Sequence, residues 1–225
     1  MNRPYDLLVF DWDGTLMDSE STIVHAMQKA MERNGVPAPD DDPVRDIIGL
    51  GLGEAIERLT PGASGELRLE IRGHYRAAIF ASQAPDLFPG VRRLLRAARA
   101  AGYRLSVATG KSRAGLDRDF GQTGIGDWFE ASRCADESVS KPAPDMLHEL
   151  MQRLQVPARR TLMIGDTVWD LSMAEKAGCD AVGVGYGVHP AERLKAHRPK
   201  AVVPSLEELM HWLGLKHLPE TFARR

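Results

Sequence analysis

The sequence predicts an α/β fold, a parallel sheet doubly wound by helices and interrupted by an all-α block. Short apolar runs at 7–10, 103–108, 161–164 and 181–184 alternate with amphipathic helical stretches. Strands that alternate with helices run parallel, covered on both faces. The first run, Leu7 to Phe10, is continuously apolar rather than alternating, as a strand buried on both faces is. Between the first run and the next α/β stretch the pattern stays helical and offers no convincing strand. We therefore place an α/β core domain at 1–17 and 84–225, and a helical domain at 18–83.

The opening strand is Leu7-Leu8-Val9-Phe10. Asp18 or Ser19 can cap the next helix, whose apolar face is Ile23, Val24, Met27, Ala30 and Met31, stopping near Asn34-Gly35. Short apolar faces at Val44, Ile47, Ile48 and at Ala55, Ile56, Leu59 follow, then a longer helix from Leu67 to Phe80 that Gly73 is expected to interrupt. Val91, Leu94, Leu95, Ala98 and Ala101 make an amphipathic helix ending at Gly102, before a strand to Ala108. A helix begins at Ser112, a short strand is expected at 129–131, and a helix covers 145–154. Thr161 to Ile164 is a buried strand, 170–177 a helix ending at Gly178, and 181–184 a further strand. A last strand at 201–203 precedes a terminal helix opened by a Ser205/Glu208 capping box.

At 225 residues with 43% hydrophobic content, the chain has ample material for a core. Its net charge of −2 asks for neither nucleic acid nor an anionic membrane. No apolar run approaches the ~20 residues of a membrane-spanning helix. Cys134 and Cys179 lack a metal-type spacing and read as buried thiols of a reducing compartment. With no signal peptide legible after Met1, a cytoplasmic location is expected.

Parallel sheets bind ligands beyond the carboxyl ends of their strands, so those ends carry the functional reading. The first strand runs into Asp11-Trp12-Asp13-Gly14-Thr15. Alternation sends Asp11 and Asp13 to one side and Trp12 to the other, where it reads as a packing residue. Two converging carboxylates repel unless a cation such as Mg²⁺ sits between them, although an Asp-Gly turn alone would look the same. The second strand ends in Thr109-Gly110-Lys111-Ser112, a hydroxyl and a helix N-terminus suited to a phosphate. Lys141 lies between a loop and Pro142, and Asp166 ends the 161–164 strand with Asp170 four residues on. Together these positions offer carboxylates, one lysine and phosphate donors in a single crevice.

These residues resemble the four motifs of the haloacid dehalogenase-like hydrolase superfamily, in its phosphatase branch. Asp11 to Thr15 matches the first motif, Thr109 the second, Lys141-Pro142 the third, and Gly165 to Asp170 the fourth. The overall texture is similar to phosphoglycolate phosphatase-like members. That includes Ile47 to Gly51 and the Val202-Val203-Pro204-Ser205-Leu206 stretch. The resemblance implies a Rossmann-like core with the helical block as an inserted cap. It departs in detail: Trp12 is bulkier than usual, Gly110 stands where many relatives carry Asn, and Ser140 where Gly commonly precedes the lysine.

The resemblance implies Asp11 as nucleophile, forming an aspartyl-phosphate, and Asp13 as the acid and base. Mg²⁺ would be held by the Asp11 carboxylate, the Asp13 backbone carbonyl and Asp166. Thr109, the Gly110 amide and Lys141 would bind the phosphoryl oxygens, with Asp170 supporting Lys141 or metal-bound water. The expected partner is a small phosphorylated metabolite, in a monomer or a homodimer. A sugar-phosphate mutase or a non-catalytic interaction protein are the competing readings. Gly49 to Gly53 lacks dinucleotide-loop spacing and reads as a loop facing the site. Arg45, Arg58, Arg68, Arg72, His74 and Arg76 could include a binder of a substrate carboxylate, but solvated helix faces normally look like this; Trp128 and Trp169 read as packing residues, and His25 and His189 as surface or structural.

Overall fold

A computed structural model describes residues 3–83 and 85–215. The chain opens with β1 (Leu7–Phe10) and leaves the sheet for α1 (Glu20–Arg33), α2 (Asp41–Ile47), α3 (Leu52–Leu59) and α4 (Gly65–Ala81). It returns through α5 (Val91–Ala100), β2 (Arg104–Thr109), α6 (Arg113–Thr123), β3 (Ala131–Cys134), α7 (Asp145–Leu154) and β4 (Thr161–Gly165). The last elements are α8 (Val168–Ala177), β5 (Asp180–Val184), α9 (Ala191–Lys195), β6 (Ala201–Val203) and α10 (Leu206–Trp212).

The six strands form one parallel sheet in the order β3-β2-β1-β4-β5-β6. The chain grows outward from β1 in both directions, so β1 is the switch point at which such sheets open a crevice. Burial on both faces explains the continuously apolar β1. Leu8, Phe10 and Trp12 join one core cluster with α5 and α10, while Leu7 and Val9 join another with α7 and α8. Cys134 and Cys179 are buried and free.

Helices α1–α4 build a third cluster from Val24, Met27, Met31, Val44, Ile47, Ile56 and Ile71. The chain leaves for these helices and comes back along one seam. There Asp18 N–H donates to the Asp86 carbonyl at 2.9 Å and Phe88 N–H to the Leu16 carbonyl at 3.0 Å. Gly73 does not interrupt α4, which runs unbroken for 17 residues. A mid-helix glycine costs only about 1 kcal/mol relative to alanine, too little to break a helix docked through Ile71. The third strand begins at Ala131 and extends to Cys134, later than expected, because register with β2 pairs Ser106 with Ala131 and Thr109 with Cys134. Among the described residues no helix is long and apolar enough to cross a membrane.

Candidate active site

Beyond the carboxyl ends of β1, β2, β3 and β4 the sheet presents Asp11, Thr109, Lys141 and Asp166, all buried. Asp11 Oδ1 accepts from the Trp12 amide at 2.7 Å and lies 2.7 Å from Lys141 Nζ. Lys141 is held on its other side by Asp170 Oδ1, also at 2.7 Å. The second oxygen of Asp170 accepts from Thr167 N–H and Oγ1, at 3.1 and 2.7 Å, in the capping box that starts α8. A helix cap therefore fixes the carboxylate that fixes the lysine. Asp166 accepts from Thr15 Oγ1 at 2.6 Å and from Val188 N–H at 2.9 Å. Gly14 has φ +80°, and a Cβ there would lie 2.2 Å from Asp166 Oδ2, so only glycine lets the first loop close over Asp166.

Asp11, Asp166 and Asp170 each bring one carboxylate oxygen within 4.8 Å of the others. One buried ammonium serves all three acids, so charge is left uncompensated in a low dielectric. Burial, then Asp170, raises the Asp11 pKa well above the usual carboxylate range against the pull of Lys141. Burial and Asp170 also push Asp166 up to about 7, despite its two donors. For Lys141 burial opposes the charged form, but Asp11 and Asp170 outweigh it and its pKa rises. Asp11 Oδ2 is buried without a hydrogen-bond partner. A divalent cation that prefers oxygen ligands, Mg²⁺ by type, fits this donor set and this charge.

Asp13 sits outside that group. Its Oδ1 accepts from Ser19 Oγ at 2.7 Å and lies 3.0 Å from Lys111 Nζ. Ser19 thus serves Asp13 rather than capping α1 with its side chain. Lys111 also reaches Asp119 Oδ2 at 3.3 Å, and the Trp12 indole N–H donates to that oxygen at 2.9 Å. Trp12 therefore has a polar role that the strand alternation did not reveal, beside its edge-on packing with Phe120 at 5.2 Å. Burial opposes the Lys111 charge, yet Asp13 and Asp119 raise its pKa. Lys111 was legible only as part of the Thr109-Gly110-Lys111 turn. Asp119 is distant in sequence and carried no signal.

A cavity of about 370 Å³ lies between the sheet ends and the helical unit. Asp11, Asp13, Thr109, Gly110 and Lys111 form its floor, whereas Lys141 and Asp166 lie behind, outside the lining. The turn Gly49 to Gly51, between α2 and α3, roofs it together with Leu52 and Gly53 at the start of α3. Gly51 N–H donates to Ser140 Oγ at 2.7 Å. A Cβ on Gly110 would lie 2.5 Å from the carbonyl oxygens of both Gly49 and Leu50. Both departures at Gly110 and Ser140 thus meet the same roof. The Trp169 indole donates to the Asp46 carbonyl at 3.1 Å, the Arg58 guanidinium lies 4.5 Å from its ring centre, and Arg193 pairs with Asp46. Trp169 pins the helical unit to the core rather than merely filling space.

A parallel α/β sheet with a buried acidic crevice at its switch point and a roofed cavity above presents the parts that a phosphoryl-handling enzyme needs. The chain belongs to the haloacid dehalogenase-like hydrolase family, whose model matches residues 5–178. It is 36% identical over 210 residues to a probable phosphatase, IndB, of Dickeya dadantii, covering 91% of each chain. It is 32% identical over 214 residues to a phosphoglycolate phosphatase of Vibrio parahaemolyticus, covering 91% of this chain and 94% of that one. A crystal structure of a haloacid dehalogenase-like hydrolase from Bacteroides fragilis superposes with a TM-score of 0.85 at 26% identity, over 91% of this chain and 99% of that one.

Proposed function

We propose that this protein is a Mg²⁺-dependent phosphatase that hydrolyses the phosphomonoester of a small metabolite, phosphoglycolate-like or a sugar phosphate, through an aspartyl-phosphate. The observation that carries this reading is Asp11, whose Oδ1 is anchored by Lys141 and the Trp12 amide while Oδ2 faces no protein donor. One oxygen is held and the other is left for reaction. The relatives named as phosphatases support the same chemistry.

Asp11 attacks phosphorus, forming an aspartyl–phosphorus bond as the bond to the leaving oxygen breaks. Asp13, held by Ser19 and Lys111, gives that oxygen its proton. It then takes a proton from the water that attacks the aspartyl-phosphate, releasing inorganic phosphate and restoring Asp11. Thr109 Oγ1 and the Gly110 amide bind phosphoryl oxygens from the cavity floor. Lys141 orients Asp11 and favours its anionic form against the effect of burial. Asp11, Asp166 and the Asp13 main-chain carbonyl would hold Mg²⁺, which supplies the positive charge that lets an anionic nucleophile approach an anionic phosphate. Asp170 acts through Lys141. Two buried free cysteines support a cytoplasmic setting.

Phosphate release across a panel of phosphometabolites, with Mg²⁺ or with EDTA, tests the reading. Asp11→Asn is expected to abolish Mg²⁺-dependent release without changing the melting temperature by more than a few degrees. Fluoroberyllate with Mg²⁺ is expected to inhibit the wild type as a mimic of the aspartyl-phosphate. Wild-type turnover by Asp11→Asn would remove the nucleophile assignment.

A further inference from the structure

Helix α4 turns one face to the cavity: Arg72, Tyr75, Arg76 and Ile79 all line it, at the spacing of a single helical stripe. Among the described residues three arginines of the helical unit, Arg33, Arg72 and Arg76, have no counter-charge, and of these Arg72 alone is half-buried rather than exposed. Arg45 pairs with Glu20, Asp41 and Asp42, Arg58 with Glu54, and Arg68 with Glu57. Arg72 forms no ion pair among the described residues, and its Nε is buried without a partner. Its guanidinium is seated against Gly53, where a Cβ would lie 2.8 Å from the nearer terminal nitrogen. Glycine at the start of α3 therefore makes the room this side chain occupies. Arg76, on the same face, is exposed.

A half-buried guanidinium beside Ile23, Met27, Ile47 and Leu50 is poorly solvated, and a cation so placed gains most from an anion that binds there. The protein provides none, so the ligand is the natural source. The planar fork of arginine suits a carboxylate, which it binds through two parallel hydrogen bonds. Tyr75, three residues further along the face, has a phenol whose pKa is raised by burial and which also feels the charges of Lys111 and Asp13. Three residues rise about 4.5 Å along a helix. Arg72 therefore stands about one turn from Tyr75, and it lines the same cavity as Asp13, the group proposed to protonate the leaving oxygen.

We propose that Arg72 is a specificity-determining residue that binds a carboxylate carried by the leaving group of the substrate. This deepens the phosphatase reading and rests on it. Arg72 takes no part in the bond-breaking steps. It selects short phosphorylated carboxylic acids over esters of the same size that lack the acid.

The test compares 2-phosphoglycolate with two carboxylate-free esters, ethyl phosphate and p-nitrophenyl phosphate, in the wild type, Arg72→Ala and Arg72→Lys. The wild type is expected to prefer phosphoglycolate. Arg72→Ala should raise KM for phosphoglycolate by about 10- to 100-fold, the size of a lost charge-assisted interaction, and leave both other esters within about twofold. Arg72→Lys should recover part of the loss, since it restores charge but not the fork. Equal damage to all three esters, or a wild type indifferent to the carboxylate, would overturn the proposal and leave the phosphatase reading standing. A wild type inactive on every ester with Mg²⁺ present would overturn both.

Discussion

Replacing Gly110 by alanine would test whether the roof must rest on the floor of the cavity. The amide expected to bind phosphate survives this change, so only the space is altered. The new Cβ would lie 2.5 Å from the carbonyl oxygens of Gly49 and Leu50 and 2.8 Å from the Gly49 carbonyl carbon. These are backbone atoms of a turn tied to Ser140, so no flexible side chain can yield. Overpacking of this kind costs about 1–3 kcal/mol. Because the helical unit has its own core cluster, the strain is expected to shift that unit against its Trp169 and Arg193 contacts rather than to unfold it. We therefore expect the penalty to fall on closure rather than on stability. A closure penalty of about 1–3 kcal/mol reduces kcat/KM by about 5- to 150-fold. Steady-state kinetics and thermal melting together measure the division. Ser140→Ala, which removes the acceptor of the Gly51 amide, should act in the same direction at about 0.5–1.5 kcal/mol. Wild-type kcat/KM in Gly110→Ala would refute the idea that this contact matters, and a large fall in melting temperature with unchanged kinetics would refute the division.

Other consequences follow from the charges beneath the cavity. Because Asp166 is pushed from its ordinary 3.8 up to about 7, the metal-free folded protein holds a proton that the unfolded chain releases in between. Its stability therefore falls as pH rises from about 4 to about 7, by on the order of 4 kcal/mol from Asp166. Lys141 stays charged throughout, so it does not bend this profile. Mg²⁺ should remove the penalty, and the melting-temperature gain on adding it should be larger at pH 8 than at pH 5; a gain independent of pH would contradict this. Trp12→Phe removes the indole donor to buried Asp119, leaving that carboxylate with Lys111 alone. A loss of about 1–3 kcal/mol is expected by denaturant unfolding, and a neutral result would mean that Trp12 only packs.

The sequence by itself determined the sheet and the positions of the candidate site residues at its strand ends. Strands buried on both faces must be continuously apolar, and the residues that break the run at Asp11, Thr109 and Asp166 stand at the strand ends, where parallel sheets bind ligands. Chain order suffices there because each such residue follows its strand directly. The tertiary structure alone decided what lies across from them. Asp119 reaches Trp12 and Lys111 from α6, and α4 brings Arg72 against Gly53. Gly110 and Ser140 meet one turn of the helical unit although the two are far apart in the chain. Such pairings depend on how two separately packed bodies meet, and no local periodicity encodes that distance. Arg72 reads like any solvated helix arginine until it is seen half-buried in the cavity without an ion pair, while the equally unpaired Arg33 and Arg76 are exposed.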